Sequence, residues 1–434
     1  MNDSAALREN SLNELTVLFE VSTIIYTRTS ISEFYFENEI NKPPYGSFIL
    51  IDDGKLDQIG LQSGSNGVIY FTNSTDTTAM KRMALPVYLT EVSLIDRKDF
   101  ITYYRIKWTA GTIDQLIVKP GNVIKQSNST DALAKVFQNV PGTTVTPFSG
   151  TNRPSDNMNW LTVNKNMWQQ LEIISSKSFM SNDYIFWCWD DVNNTFRISS
   201  INTEFKNNDV NLAIRSFDAL NSTNAALQVS NKNGIVIWKF ADYKKYNTLG
   251  SSYKKLFPNV AFLGVPTGVI VNGAISSTNF FALLNALNDT KLTDVLNQTG
   301  LGSSTAVFGN LQIRKHTLNG HDLYSIADIY RDYKIATYAK SFFCQLYNVV
   351  GPQLGSYISI FQTTNSSETG MIIDNRFSDR YFIKRKTIYY KGNYTSKAGV
   401  AVNTPTNYIT TLELVSDNYA DGISNIQGIL NKAT

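Results

Sequence analysis

Two histidines, two cysteines and a few adjacent carboxylates are what this chain of 434 residues offers for chemistry. His316 and His321 flank Gly320, but no third ligand stands near them in a zinc spacing. A Ser-His-Asp site would have to recruit one of them, and no Gly-x-Ser-x-Gly elbow is present. Cys188 and Cys344 lie in apolar, strand-like runs, 185–189 and 342–346. Thiols placed there are buried and free, poor nucleophiles and not a disulfide. Asp52/Asp53 and Asp190/Asp191 could supply acid and base to a glycosidase. Each pair falls at a turn, where aspartate is favoured because it bonds the local backbone. No phosphate loop and no dinucleotide glycine fingerprint occurs. Phe186, Trp187 and Trp189 could stack on bases or sugars, but alternate members face opposite sides of a hairpin, so at least one face packs into a core. The expectation is no enzyme: no catalytic, cofactor-binding or metal-binding residue, and no cofactor.

Composition agrees with a scaffold. The chain is 42% hydrophobic and 12% aromatic, with 23 Tyr and 24 Phe, which favours strands. Only 17% of residues are charged, and the net charge is +3. The densest basic cluster, Lys384-Arg385-Lys386, alternates across a strand and reads as a solvated face, not a nucleic-acid footprint. Residues 1–13 are mostly polar and lack the apolar core of a signal peptide. No apolar run approaches the roughly 18 residues of a membrane span. Asn73, Asn221, Asn297 and Asn393 begin Asn-x-Ser/Thr triplets, which carry sugar only in a secreted eukaryotic protein. A soluble chain made in a cytoplasm is expected.

The elements that would position these residues are mostly strands. Residues 15–21, 24–28, 48–52, 68–72, 86–94 and 100–108 read as strands, the last two as a hairpin. Ser129 can cap a helix carrying Leu133, Val136 and Phe137, and Pro141-Gly142 would end it. Asn166 can cap a stronger helix through Ser178, with Gln169 completing a capping box. Residues 184–189 and 195–201 form a hairpin around the turn 190–194. Residues 210–227 read as helical, and 234–240 as a strand. Thr278 can cap a helix with Phe280, Phe281, Leu284 and Leu287; shorter helical faces follow at Leu292–Leu296 and Leu323–Tyr333. At the C-terminal end, 341–350, 357–361, 380–390 and 408–415 alternate with period two. In 380–390 that alternation sets Tyr381, Ile383 and Arg385 against Phe382, Lys384 and Lys386. No solenoid repeat is visible.

Several stretches together resemble the baseplate hub, or tube initiator, proteins of contractile phage tails, related to the hub part of type VI secretion spikes. They are Asn164–Leu171 with the helix through Ser178, Ser181–Phe186, and Phe196–Ser200. Phe343–Val350, Pro352–Ile360, Arg380–Ile383 and Tyr408–Leu414 resemble that family's second tube-like barrel, and Gly46–Ile51 with Ile59–Phe71 its first. The resemblance implies an α+β, β-rich fold: two tail-tube-like antiparallel β-barrels with inserted helix-plus-hairpin domains. Residues 1–108 would form the first barrel, completed by strands around 195–240, and 109–201 an inserted helical and hairpin domain. Residues 202–310 would connect, 311–420 would form the second barrel with a helix, and 421–434 a tail. It further implies a homotrimer of the virion whose ring has pseudo-sixfold symmetry. Tail-tube protein would sit above, spike protein below and other baseplate subunits around, with DNA passing through the lumen without specific recognition and no membrane span. A receptor-binding adhesin using exposed Tyr381, Tyr389 and Tyr390 is the rival reading, and a cell-wall hydrolase the more distant one.

Overall fold

The computed structural model describes residues 15–206 and 211–215, with breaks at 28–29, 73–83, 99–100, 113–121, 139–143, 151–152, 155, 179, 181–183 and 192. It also describes 231–232, 235–248, 274–275, 306–307, 340–347, 351–361, 363–366, 370–373, 379–391, 393–397, 400–404 and 408–416. The helices expected after Thr278, at 292–296 and at 323–333 lie outside the described residues, as do both histidines.

The first seven strands are β1 (Thr16–Val21), β2 (Ile24–Tyr26), β3 (Ile31–Glu39), β4 (Tyr45–Asp52), β5 (Asn66–Thr72), β6 (Ala84–Lys98) and β7 (Ile101–Ala110). A one-turn helix α1 (Lys55–Ile59) interrupts them. They pair antiparallel in the order β3-β4-β7-β6-β5-β1-β2. Alternation explains why. Phe34 and Phe36, Phe48 and Leu50, Ile106 and Trp108, Leu85, Val87 and Leu89, and Val17, Phe19 and Val21 are all buried on one face. The sheet curls around that face. Phe19 on β1 meets Phe48 on β4, ring centroids 4.8 Å apart, although three strands separate them in the ladder. Gly46 on β4 has no room for a side chain: a Cβ there would lie 2.6 Å from the Trp108 ring and 2.1 Å from the Tyr35 carbonyl oxygen.

A second group follows. β8 (Asn122–Ser127) pairs with β10 (Met158–Thr162), and β9 (Thr144–Thr146) pairs in parallel with β12 (Thr195–Ser200), which forms a hairpin with β11 (Ile185–Asp190). Helices α2 (Ser129–Gln138) and α3 (Met167–Ser176) lie among them, and α4 (Ile201–Lys206) leaves β12. α3 begins with the expected capping box: Asn166 Oδ1 accepts from Gln169 N, and Gln169 Oε1 accepts from Asn166 N. α2 is capped one residue earlier than expected. Asn128 Oδ1 accepts from Asp131 N at 2.9 Å, which leaves Ser129 as the first helical residue, fully buried.

The remaining strands are β13 (Asn211–Arg215), β14 (Asn231–Lys232), β15 (Ile235–Thr248), β16 (Ala274–Ile275), β17 (Ala306–Val307), β18 (Lys340–Tyr347), β19 (Tyr357–Phe361), β20 (Thr363–Ser366), β21 (Gly370–Ile373), β22 (Asp379–Lys391), β23 (Asn393–Lys397), β24 (Val400–Thr404) and β25 (Tyr408–Ser416). β13 corrects the helical reading of 210–227 in its first part, because both its backbone edges are taken by strands. It runs parallel to both neighbours, a departure from the all-antiparallel expectation. Parallel pairing needs a long connection, and β13 ends at Arg215 while β15 begins at Ile235. The pairings run β19-β13-β15-β18-β25-β22, and β22 pairs back to β19, so this ladder of six strands returns to its start. The β-rich character expected from sequence is present, and the large sheet curls.

β22 joins the two groups. Its first part, Asp379–Phe382, pairs with β19; its last part, Arg385–Lys391, pairs with β3 in the register Arg385↔Glu39 to Lys391↔Glu33. β25 follows it along the other edge. A register shift between Ile383 and Arg385 marks the change of neighbour. This corrects the strict alternation expected along 380–390. Tyr381, Phe382 and Ile383 are all fully buried, and Lys386, Ile388 and Tyr390 then take up the core face.

Candidate assembly interface and the buried hairpin

The residues singled out for chemistry are drawn into structure. Asp52 is 1% exposed and accepts from Tyr26 Oη (2.8 Å), Gly54 N (3.0 Å) and Leu56 N (3.1 Å), so it ties the end of β2 to the turn before α1. Asp53 is exposed and pairs with Lys55 across 2.9 Å. Asp190 accepts from Asn193 N and Asn193 Nδ2, which is the turn role expected of it, and also from Gln353 Nε2. Asp191 goes beyond a turn role and corrects that reading. It is fully buried and pairs with Lys386 Nζ at 2.5 Å. Burial pushes its carboxyl above the ordinary range, against the pull of Lys386. Lys386 is therefore not on a solvated face. Its Nζ also donates to Pro352 O at 3.1 Å. The sequence could not show this partner, which lies nearly two hundred residues away.

Both cysteines are buried and free. Burial pushes the Cys188 thiol up to about 12, and that of Cys344 higher, so neither presents a thiolate near neutrality. Among the described residues no cluster of His, Cys, Asp and Glu could hold a metal ion.

The aromatic hairpin β11–β12 is consumed on both faces and along both edges. Trp187, Trp189, Phe196 and Ile198 pack with Phe36, Trp108, α2 and α3; Trp168 stacks on Trp187 at 5.8 Å, and Phe137 on Phe196 at 4.6 Å. Phe186 and Cys188 pack on the opposite side with Leu354, Ile358, Phe382 and Cys344. Core packing, expected for at least one face, takes both. The outer edge of β11 is closed by the end of β3 and the turn after it. Asn41 N donates to Trp187 O (2.8 Å), Trp187 N to Asn41 Oδ1 (3.0 Å), and Asn38 Nδ2 to Trp189 O (2.7 Å). Two asparagine side chains thus stand where a further strand would pair. Asn41 holds a left-handed φ of 60°, a conformation asparagine tolerates.

On the outer face of the β3–β22–β25 seam lies a charged row. Arg385 bridges Glu413 (2.7 Å) and Glu37 (3.3 Å), while Lys384 reaches Glu413 (3.3 Å) and Glu39 (3.9 Å). Of the three tyrosines an adhesin would expose, Tyr381 and Tyr390 are buried, and only Tyr389 reaches the surface, at 37%. Of the other exposed large apolar side chains among the described residues, Tyr45 on β4 stands opposite Glu37, and Ile25 lies on β2. Leu94 and Ile95 stand on the distal part of β6, and the cross-strand partners Val123 and Leu161 on the ribbon β8–β10, with Val163 just beyond it. Among the described residues no helix is long and apolar enough to cross a membrane.

No protein-family model and no curated protein matches the chain. Among solved structures it is similar to a tail protein from Neisseria meningitidis MC58 (9% identity, 93% of this chain and 97% of that one, TM-score 0.45). It is also similar to a 43 kDa tail protein of prophage MuSo2 from Shewanella oneidensis (6% identity, 94% and 100%, TM-score 0.45). A third is the E. coli c3393 protein, described as a component of the type VI secretion system with structural similarity to T4 tail proteins (8% identity, 91% and 75%, TM-score 0.42). These superpositions are loose.

Proposed function

We propose that the chain is a structural protein of a phage tail: a baseplate hub that forms a trimeric ring of pseudo-sixfold symmetry between the tail tube and the spike. The observation that carries this reading is that one large sheet in a single polypeptide curls on each side of the β3–β22 pairing. A sixfold tube and a threefold spike cannot make identical contacts with one ring unless each subunit presents a tube-like module twice. On this reading residues 1–108 and 311–420 form the two tube-like barrels; β13 and β15, from the stretch around 195–240 expected to complete the first, pair instead with β19 and β18 of the second. Residues 109–201 are an inserted helical and hairpin domain, and 421–434 a tail. The tail tube stacks on one side and the spike seats on the other. DNA passes through the lumen with no base-specific contact. The chain carries no enzyme activity in this role; the aromatic hairpin and the carboxylate pairs serve the fold.

Antibody labelling of purified particles in the electron microscope tests the location. Label on the tail axis, at the junction of tube and spike, is the expected result. Label on peripheral fibres, or absent from the particle, overturns the proposal.

A further inference from the structure

The loop 351–356 between β18 and β19 is gripped from two sides by cations, Lys386 fully buried and Arg197 largely so. Lys386 of β22, itself paired with Asp191, donates to the Pro352 carbonyl at 3.1 Å. Arg197 of β12 donates to the Leu354 carbonyl at 2.7 Å and pairs with Glu204 at the start of α4, which Ser199 also meets. Leu354 between them is fully buried. The loop presses flat on the hairpin: Gly355 has a φ of 71°, and a Cβ there would lie 2.5 Å from the Phe186 ring. From Gly355 the chain joins β22, its N–H donating to Ile383 O at 3.0 Å, while Ile383 N donates to Ser356 O at 2.9 Å.

An ordinary core would not need these charges. Apolar side chains of the same volume stabilise a buried site as well as an ion pair or better, so stability alone does not account for Asp191 and Lys386. What a buried pair supplies is an all-or-none contact. Either both charges are together or one stands unpaired in an apolar surround, and partial disengagement is not an intermediate of low energy. An apolar contact, by contrast, can slide.

We propose that Asp191–Lys386 and Arg197–Glu204, acting across loop 351–356, are a charge lock that makes the β11–β12 hairpin and the six-strand ladder one opening unit, separate from the outer strands of the first sheet. The hairpin belongs in sequence to the inserted region but opens with the second. The lock is independent of the ring proposed above and stands or falls without it.

Native-state hydrogen exchange on the full chain, in increasing sub-denaturing urea, tests it. Peptides covering 185–200 and 351–361 are expected to share one opening free energy and one urea dependence, with β1, β2 and β5, the strands farthest from β22 in the ladder, opening separately. In Lys386→Met both sets of peptides are expected to exchange faster by a common factor, on the order of 100-fold, with β1, β2 and β5 unchanged. The double replacement Asp191→Leu/Lys386→Met is expected to return them toward the unaltered rate. Different urea dependences for the two peptide sets in the unaltered chain overturn the lock, whether or not any variant folds. So does a double variant that exchanges no more slowly than the single one, or a rise shared equally by β1, β2 and β5.

Discussion

The two halves of the large sheet curl by different means. The half built of β13, β15, β18, β19, β22 and β25 returns on itself through backbone ladders, β19 pairing with both β13 and β22. The half built of β1–β7 has no such closing ladder: β2 pairs only with β1 among the described strands. Its curl is held by side chains, Phe19 against Phe48 and Tyr26 against Asp52, across a gap that no ladder bridges. Similar curvature therefore rests on core volume and one buried polar contact in β1–β7 and on amide pairing in the six-strand ladder. The β1–β7 half should be sensitive to side-chain truncation, the six-strand ladder to loss of backbone donors.

The strongest test of that contrast is Phe48→Ala. It is expected to cost about 3–5 kcal/mol in chemical denaturation, the usual range for emptying a buried phenylalanine site. Because Phe48 and Phe19 touch, Phe48→Ala and Phe19→Ala together should fall short of additivity by about 0.5–3 kcal/mol; strict additivity would mean the curl does not depend on their contact. Next is Ser359→Pro in β19, which takes a backbone donor from a strand paired on both edges. A loss of about 1–3 kcal/mol is expected, with faster hydrogen exchange in β13, β19 and β22 but not in β1–β7. Tyr26→Phe, which leaves Asp52 without its hydroxyl donor, should cost about 1–3 kcal/mol and raise exchange at β2 and the end of β4 alone. The smallest effect is expected from Asn166→Ala, about 1 kcal/mol from the cap of α3. That change should alter exchange in neither half of the large sheet, and a change in either would tie the helices to the curl more closely than the contacts do.

Local pattern carried much of this fold. The residues of β19, the hairpin β11–β12 and the capping box of α3 could be named because alternation, a turn signal and a short cap motif are all local. β3 was not legible: its run Ile31-Ser-Glu-Phe-Tyr-Phe-Glu-Asn-Glu39 carries charges within a strand whose neighbours, β4 and β22, the sequence does not place beside it. The reading of β22 went wrong at one point for a physical reason. A strand that exchanges one neighbour for another takes a bulge there, and a bulge breaks period two. Lys386 was misread for a related cause. A lysine in a basic cluster is solvated unless a carboxylate meets it inside, and Asp191 reaches it only through the tertiary fold. The same holds for Asn38 and Asn41, ordinary polar residues in the sequence that become the edge of β11 in the structure. Cys188 and Cys344 take the buried positions that their apolar runs suggested, and Asp52 and Asp190 take turn positions, because those settings are written locally in the sequence.

A cryo-electron microscopy reconstruction of the tail tip, with this chain traced in the axial density, tests the central claim most directly. The account predicts three copies of the chain forming a closed ring of six similar β-lobes, two from each copy. Three lobes, one per copy, or a chain lying off the axis, would contradict it.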